Sequence, residues 1–250
     1  MEKQAFSSHI SRRMNRNIEE VFNGILEMGG LVENQIENTI LSLMTVDRNR
    51  AEEVIILDET VNQIEFQIEK ICANILARQQ PTASDLRLTI SSIRIAIDLE
   101  RIGDEVIKIA RMVKSFSKQD VALTDVFPGY SQLLDMSHRS QKTLHVALDC
   151  FARLTVSDVL SILDEEETIN ELYETAHQEI ITALEQQPNN ASLYTQMLFS
   201  AKAMERVSDH VLNIIEKIVY LINGKDIRVL NTKSTVKLIK KMEKRENEEI

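Results

Sequence analysis

The chain has no tryptophan, three prolines, six glycines and two cysteines in 250 residues, and aromatic side chains make up only 4% of it. So few aromatics and turn-formers exclude a β-sandwich or barrel, whose strands are enriched in aromatics and whose turns need Gly and Pro at short intervals. Cys72 and Cys150 stand in different halves; they cannot build a disulfide framework and read as buried apolar thiols. No stretch has the run of about 18 apolar residues that a membrane span needs. The polar segment 1–17 lacks the apolar core of a secretory signal, which predicts a cytoplasmic protein that meets membranes only through partners. A net charge of -10 repels a phosphate backbone, so nucleic acid is not an expected ligand. There is no glycine-rich phosphate loop, no Gly-x-Ser-x-Gly elbow and no paired-cysteine zinc motif, and a non-enzymatic protein is expected.

What the chain does have is internal repetition. Leu99-Glu100-Arg101-Ile102-Gly103-Asp104 returns as Met204-Glu205-Arg206-Val207-Ser208-Asp209 at a spacing of 105. Asp58-Glu59-Thr60-Val61-Asn62 returns as Glu166-Glu167-Thr168-Ile169-Asn170, and Leu26-Glu27-Met28 as Leu134-Asp135-Met136, both at 108. So long a period implies two similar units and not a solenoid. Within each unit the apolar residues follow steps of three and four, as in Leu57, Val61, Ile64, Ile68, Ile71 and Ile75, which is the pattern of a helix-packing seam. Asp47 reads as a cap, and Thr82 or Ser84 after Gln80-Pro81 as the start of a third helix. Gly29-Gly30 marks a kink or a close approach within the first. The predicted fold is all-α, two tandem three-helix bundles related by duplication. Their bounds are 1–118 and 130–225, with a linker over 119–129 around Pro128-Gly129. The charged tail 226–250 carries a weak stripe of Val236, Ile239 and Met242. It reads as a frayed solvated helix, with docking onto a partner or membrane surface as the alternative.

Glu100 and Asp104 lie one helical turn apart and opposite the seam through Leu99, Ile102 and Val106, so both face outward. Two carboxylates so placed repel unless a cation lies between them, and oxygen ligands suit hard metal ions. With 39 acids in 250 residues, roughly six acidic pairs four apart arise by chance, so the weight rests on the recurrence as Glu205 and Asp209. The preceding helices add the stripes Asp58, Asn62, Glu65 and Glu69, and Glu166, Asn170, Tyr173 and His177, which can supply further ligands or form only a wet flank. His210 is a ligand or a surface histidine. Lys108, where the second copy has Asn213, can neutralise Asp104 without metal.

These strings, with Arg78-Gln79-Gln80-Pro81-Thr82-Ala83-Ser84-Asp85-Leu86-Arg87 and Met28-Gly29-Gly30, resemble the PhoU family of bacterial phosphate-transport accessory proteins, from about His9 to Leu230. The resemblance implies two three-helix bundles, usually as a homodimer. It implies a cytoplasmic negative regulator of the phosphate-starvation response, placed between the ATPase of the phosphate ABC transporter and a phosphate-sensing histidine kinase. No cofactor is obligatory in the family, while in some members the Glu-x-x-x-Asp motifs bind iron or zinc clusters, which carries over to Glu100, Asp104, Glu205 and Asp209. Ser208 departs from the motif's glycine and Lys108 from its asparagine. Two other classes compete. A di-metal carboxylate protein needs a Glu-x-x-His from each of two helices, and the chain offers only Glu174-x-x-His177. A plain dimerisation module would preserve the seams but not the polar details.

Overall fold

The spacing of apolar residues along the chain becomes a set of buried helix faces. The computed structural model describes residues 12–119, 121–124, 127–230 and 232–248; most of the polar N-terminal segment lies outside them. Among the described residues there are seven α-helices and no strand: α1 (Arg12–Thr45), α2 (Arg48–Arg78), α3 (Ala83–Lys118), α4 (Tyr130–Arg153), α5 (Val159–Gln186), α6 (Ala191–Asn223) and α7 (Thr232–Glu248). On α2 the seam residues Val61, Ile68 and Ile75 are fully buried, while Leu57, Ile64 and Ile71 are half-buried at its flank.

The helix ends follow local chemistry. Asp47 caps α2, its carboxylate accepting from the backbone N–H groups of Asn49 at 2.8 Å and Arg50 at 3.3 Å, which satisfies donors that the first turn leaves open. Thr82 is the N-cap residue of α3, but its hydroxyl donates to the Asp85 carboxylate at 2.7 Å in place of capping the backbone. Gly224 stops α6 in the left-handed conformation at φ 72°, its N–H closing on the Tyr220 carbonyl, a geometry that costs glycine little.

Helices α1 to α3 pack on one another, as do α4 to α6, giving the tandem three-helix bundles. The two copies are not separate bodies, because α3 lies along α6 and α1 against α4, and one continuous apolar core runs through both. Phe22 stacks on Phe151 across the α1–α4 contact at 4.8 Å between centroids. Cys72 and Cys150 are buried and unpaired, and burial pushes each thiol up to about 12, which leaves both unreactive near neutrality.

The tail differs from the solvated helix expected of it. Ile239 and Met242 are buried. The Glu246 carboxylate accepts from the backbone N–H of Val156 at 3.0 Å and the hydroxyl of Thr155 at 2.6 Å, in the turn between α4 and α5. The weak apolar stripe suffices because it meets an apolar strip on its own chain, and the acid occupies the Val156 N–H that the turn leaves unpaired.

Gly29-Gly30 does not interrupt α1. A Cβ at Gly29 would come within 2.8 Å of Leu148 Cδ1 on α4, whereas one at Gly30 would meet nothing within 4 Å. Gly30→Ala is therefore expected to stabilise the protein by ~0.5–1 kcal/mol through helix propensity. Gly29→Ala should fall short of that gain by ~1 kcal/mol or more, because Leu148 must move. Urea unfolding midpoints of the two variants check this, and equal gains would mean that α1 and α4 are not in contact there.

Candidate functional site

The first acidic cluster is built between α2 and α3. Asp58 on α2 accepts from the Asn62 amide at 3.1 Å. Its other oxygen and the Gln35 side-chain oxygen from α1 both lie beside Gly103, 3.1 and 3.0 Å from where a Cβ would stand. Gln35 is anchored by donating to the Val54 carbonyl at 3.3 Å. Glycine at this motif position thus lets two helices press polar side chains onto the backbone of α3. Burial and then the Asp104 charge raise the pKa of Asp58, against the donors Gln35 and Asn62. Burial, Asp104 and Asp58 raise that of Glu100, with Arg101 and His210 opposing. Burial, Glu69 and Glu100 raise that of Glu65. These couplings place Asp58, Glu65, Glu69, Glu100 and Asp104 in one strip of like charge. Lys108 does not serve Asp104 as expected; its ammonium lies 2.7 Å from Glu105.

The second cluster repeats the plan with a cation included. Glu166 accepts from the Asn170 amide at 2.6 Å, as Asp58 does from Asn62. Burial, Glu205 and Glu166 raise the pKa of Asp209, against Lys202 and His210. Glu205 is held by the Lys202 ammonium at 2.6 Å, which also stands 4.9 Å above the Tyr173 ring. The departure at Ser208 has a steric basis. The position equivalent to Gln35 is Thr143, whose shorter side chain turns back to the Ser140 carbonyl at 3.1 Å. A serine then has the room that only glycine has in the first copy. Glu174 is exposed and the half-buried His177 lies with its ring 6.1 Å from that of Tyr173, so the Glu-x-x-His string does not form an interior ligand pair.

The α3–α6 seam brings the two motifs face to face, which the sequence reading did not anticipate. Ser91, Asp98, Glu105 and Met112 are spaced seven apart and all buried, forming one row of α3 that lies on α6. His210 Nδ1 is 3.0 Å from the Asp98 carboxylate, and the Asn213 amide donates to the same oxygen at 3.3 Å. Arg206 reaches Glu105 at 3.4 Å. Arg101, Asp104, Arg206, Asp209 and His210 consequently line a single cleft of about 460 Å³. Asp98 and Glu105 were missed because they flank the apolar seam; their seven-residue spacing was the available signal.

The donors are hard oxygens suited to a hard cation. Even so, among the described residues no three or more His, Cys, Asp or Glu side chains are placed to hold a metal ion. Glu205 is occupied by Lys202, and the Asn62 and Asn170 amides are already given to Asp58 and Glu166. The side chains as placed do not fit a closed metal site; Asp58, Glu166 and Glu205 are given to protein partners, and Glu100 and Asp104 stand among like charges.

Duplicated three-helix bundles, fused along one core and carrying a repeated acidic face, define an all-helical protein whose polar features are charge clusters on a rigid scaffold. The chain belongs to the PhoU family: the PhoU domain model matches residues 25–113 and 133–218. It is 37% identical over 231 residues to the phosphate-specific transport system accessory protein PhoU homolog of Pseudomonas putida, covering 92% of this chain and 89% of that one. It is 32% identical over 229 residues to the PhoU accessory protein of Escherichia coli K12, covering 91% and 92%. The crystal structure of PhoU from Pseudomonas aeruginosa superposes with a TM-score of 0.79 at 36% identity, over 84% of this chain and 99% of that one. PhoU from Streptococcus pneumoniae gives a TM-score of 0.73 at 32% identity, over 84% and 96%.

Because the folded-state pKa of Glu100 lies above its ordinary value, the folded protein binds more protons than the unfolded chain between the two values. Stability falls as pH rises through that window, and the cost of burying the charged carboxylate beside Asp104 and Asp58 is complete above it. Glu100→Gln should therefore stabilise the protein at pH 7 by ~0.2–0.5 kcal/mol, with the gain vanishing as pH drops through the raised pKa. Thermal melts in chelator at pH 7 and pH 4 check the sign; a gain that grows on acidification would contradict it.

Proposed function

We propose that the protein is a non-enzymatic, cytoplasmic negative regulator of the phosphate-starvation response. In this reading it acts as a homodimeric adaptor between the ATPase of the phosphate ABC transporter and a phosphate-sensing histidine kinase. The observation that carries the reading is the same polar cluster presented twice on one rigid core, since packing alone would have kept the seams and let Asp58, Asn62, Glu100 and Asp104 drift. The relatives' description as accessory proteins of phosphate-specific transport supports it. The mechanism is occupancy. The transporter reads phosphate status, and the adaptor, by contacting transporter and kinase, holds the kinase away from signalling while phosphate is plentiful. Charged faces suit this role because they set partner choice and encounter rate more than raw affinity.

The test is a Glu100→Ala/Glu205→Ala double variant. It is expected to weaken capture of the ATPase or the kinase at least tenfold and to derepress a starvation-gene reporter in phosphate-rich medium. Unchanged capture together with unchanged repression would remove the acidic faces from the working surface.

A second reading, that these faces take up iron, zinc or another divalent metal, is favoured by the raised proton affinity of Asp58, Glu100 and Asp209, which burial and then neighbouring carboxylates cause, since a bound cation relieves the repulsive part. Elemental analysis of untagged protein purified without chelator is expected to find metal that the Asp104→Ala/Asp209→Ala variant lacks. Equal metal content in the two proteins would sink it.

A further inference from the structure

Beside the acidic faces, the α3–α6 seam opens at one end into a cleft of about 560 Å³ of opposite character. Its floor is Met112 and Ala203, both buried, and Phe199 stands at its rim with 67% of its surface exposed. Lys108, Arg111, Lys202 and Arg206 surround it. Within the lining only Glu105 is acidic; it pairs with Lys108 at 2.7 Å and Arg206 at 3.4 Å, while Lys202 is held by Glu205. Two carboxylates thus face four cations, in a chain whose net charge is -10.

The duplication supplies an internal control. At the 105-residue spacing of the motifs, Phe199 corresponds to Arg94, Lys202 to Ile97, Lys108 to Asn213 and Arg111 to Glu216. Helices α3 and α6 pack along each other with Asp98 opposite His210 and Met112 opposite Ser200, so these counterparts sit at the other end of the same seam. Arg206 corresponds to Arg101 and Met112 to Lys217, so both ends carry cations; what sets this end apart is Lys108, Arg111 and Lys202 where the other has Asn213, Glu216 and Ile97, together with the exposed ring of Phe199. The duplicated fold does not require that difference.

We propose that this cleft docks an acidic segment of a partner protein bearing one aromatic or branched aliphatic anchor. The proposal rests on the adaptor reading and deepens it by naming a surface and the chemistry it recognises. The cations are strung along α6 from Lys202 to Arg206 and along α3 from Lys108 to Arg111, spans of about 6 Å and about 4.5 Å. They flank Glu105, whose buried carboxylate repels a compact anion at the centre. Acidic side chains spaced along a peptide straddle Glu105, and an apolar anchor seats on Met112 and Ala203 beneath Phe199, as in helix-in-groove recognition.

The test is selection from a random 12-residue displayed peptide library on the full-length protein, followed by fluorescence polarisation with the best peptide. Selected peptides are expected to be rich in Asp and Glu around a single large apolar residue. Their affinity should fall about tenfold or more in Lys108→Glu/Arg111→Glu and about fivefold in Phe199→Ala, and weaken steeply with salt. Glu100→Gln/Asp209→Asn and the charge-conserving Lys108→Arg/Arg111→Lys should retain it, and circular dichroism melts verify that each variant is folded. Selection of non-acidic peptides, or of acidic ones indifferent to the cleft variants, overturns the proposal. So does ATP or inorganic phosphate binding that the cleft variants abolish while peptide binding persists. Capture of the ATPase and the kinase is measured in parallel. Cleft variants that capture both normally, with peptide indifference, overturn the docking site and leave the adaptor standing. A wild-type protein that captures neither partner removes the adaptor reading, and the peptide data then decide the cleft alone.

Discussion

The arrangement depends on the contact between α3 and α6, where the two copies of the duplicated unit meet. Most of that seam is apolar and non-directional, and it would tolerate sliding. Register comes from the polar groups set into it. Asp98 is buried on α3 and takes its partners, His210 and Asn213, from the other copy, and Glu105 is buried beside Arg206 in the same way. A carboxylate removed from water is costly unless its partners are in place. A shift of one helical turn would strand Asp98 and leave Glu105 with only Lys108 of its own helix, so these groups specify one alignment of α3 on α6, and with it the meeting of the two Glu-Arg motifs.

Once the copies are locked together, they diverge at particular positions. In the first, Gln35 and Asp58 lean on Gly103, so the motif needs glycine. In the second, Thr143 folds back on its own helix and Ser208 is admitted. The first cluster is a strip of carboxylates that raise one another's proton affinity, while the second carries Lys202 as a built-in counter-ion. Fused bundles that differ in charge present distinct surfaces at fixed separation.

Much of the fold was legible because helix periodicity and punctuation are local. The three-and-four spacing of Val61, Ile68 and Ile75, the cap at Asp47 and the stop at Gly224 each reflect physics confined to a few residues. The recurrence of Glu100 and Asp104 as Glu205 and Asp209 was equally visible, while the stripe of Asp58 and Glu65 on α2 read either as further ligands or as a wet flank. Less legible were features whose partner is distant in sequence. The apolar stripe at Ile239 looked too weak to bury because its docking surface and the turn capped by Glu246 lie some 90 residues upstream. Lys108 was free to neutralise Asp104 by helical proximity, yet it lies against Glu105, an acid that the sequence pattern did not single out.

The sequence by itself determined the helices, the duplication, the two acidic motifs and the family resemblance, since all of these reside in spacing and in residue identity along the chain. Tertiary packing alone settled that the motifs share one cleft, that His210 turns to Asp98 across the seam and not to Asp209, and that Lys108, Arg111, Lys202 and Arg206 surround a second cleft. Those outcomes follow from how two antiparallel helices settle their crossing register, and that choice is made by burial and ion pairing between residues about a hundred positions apart.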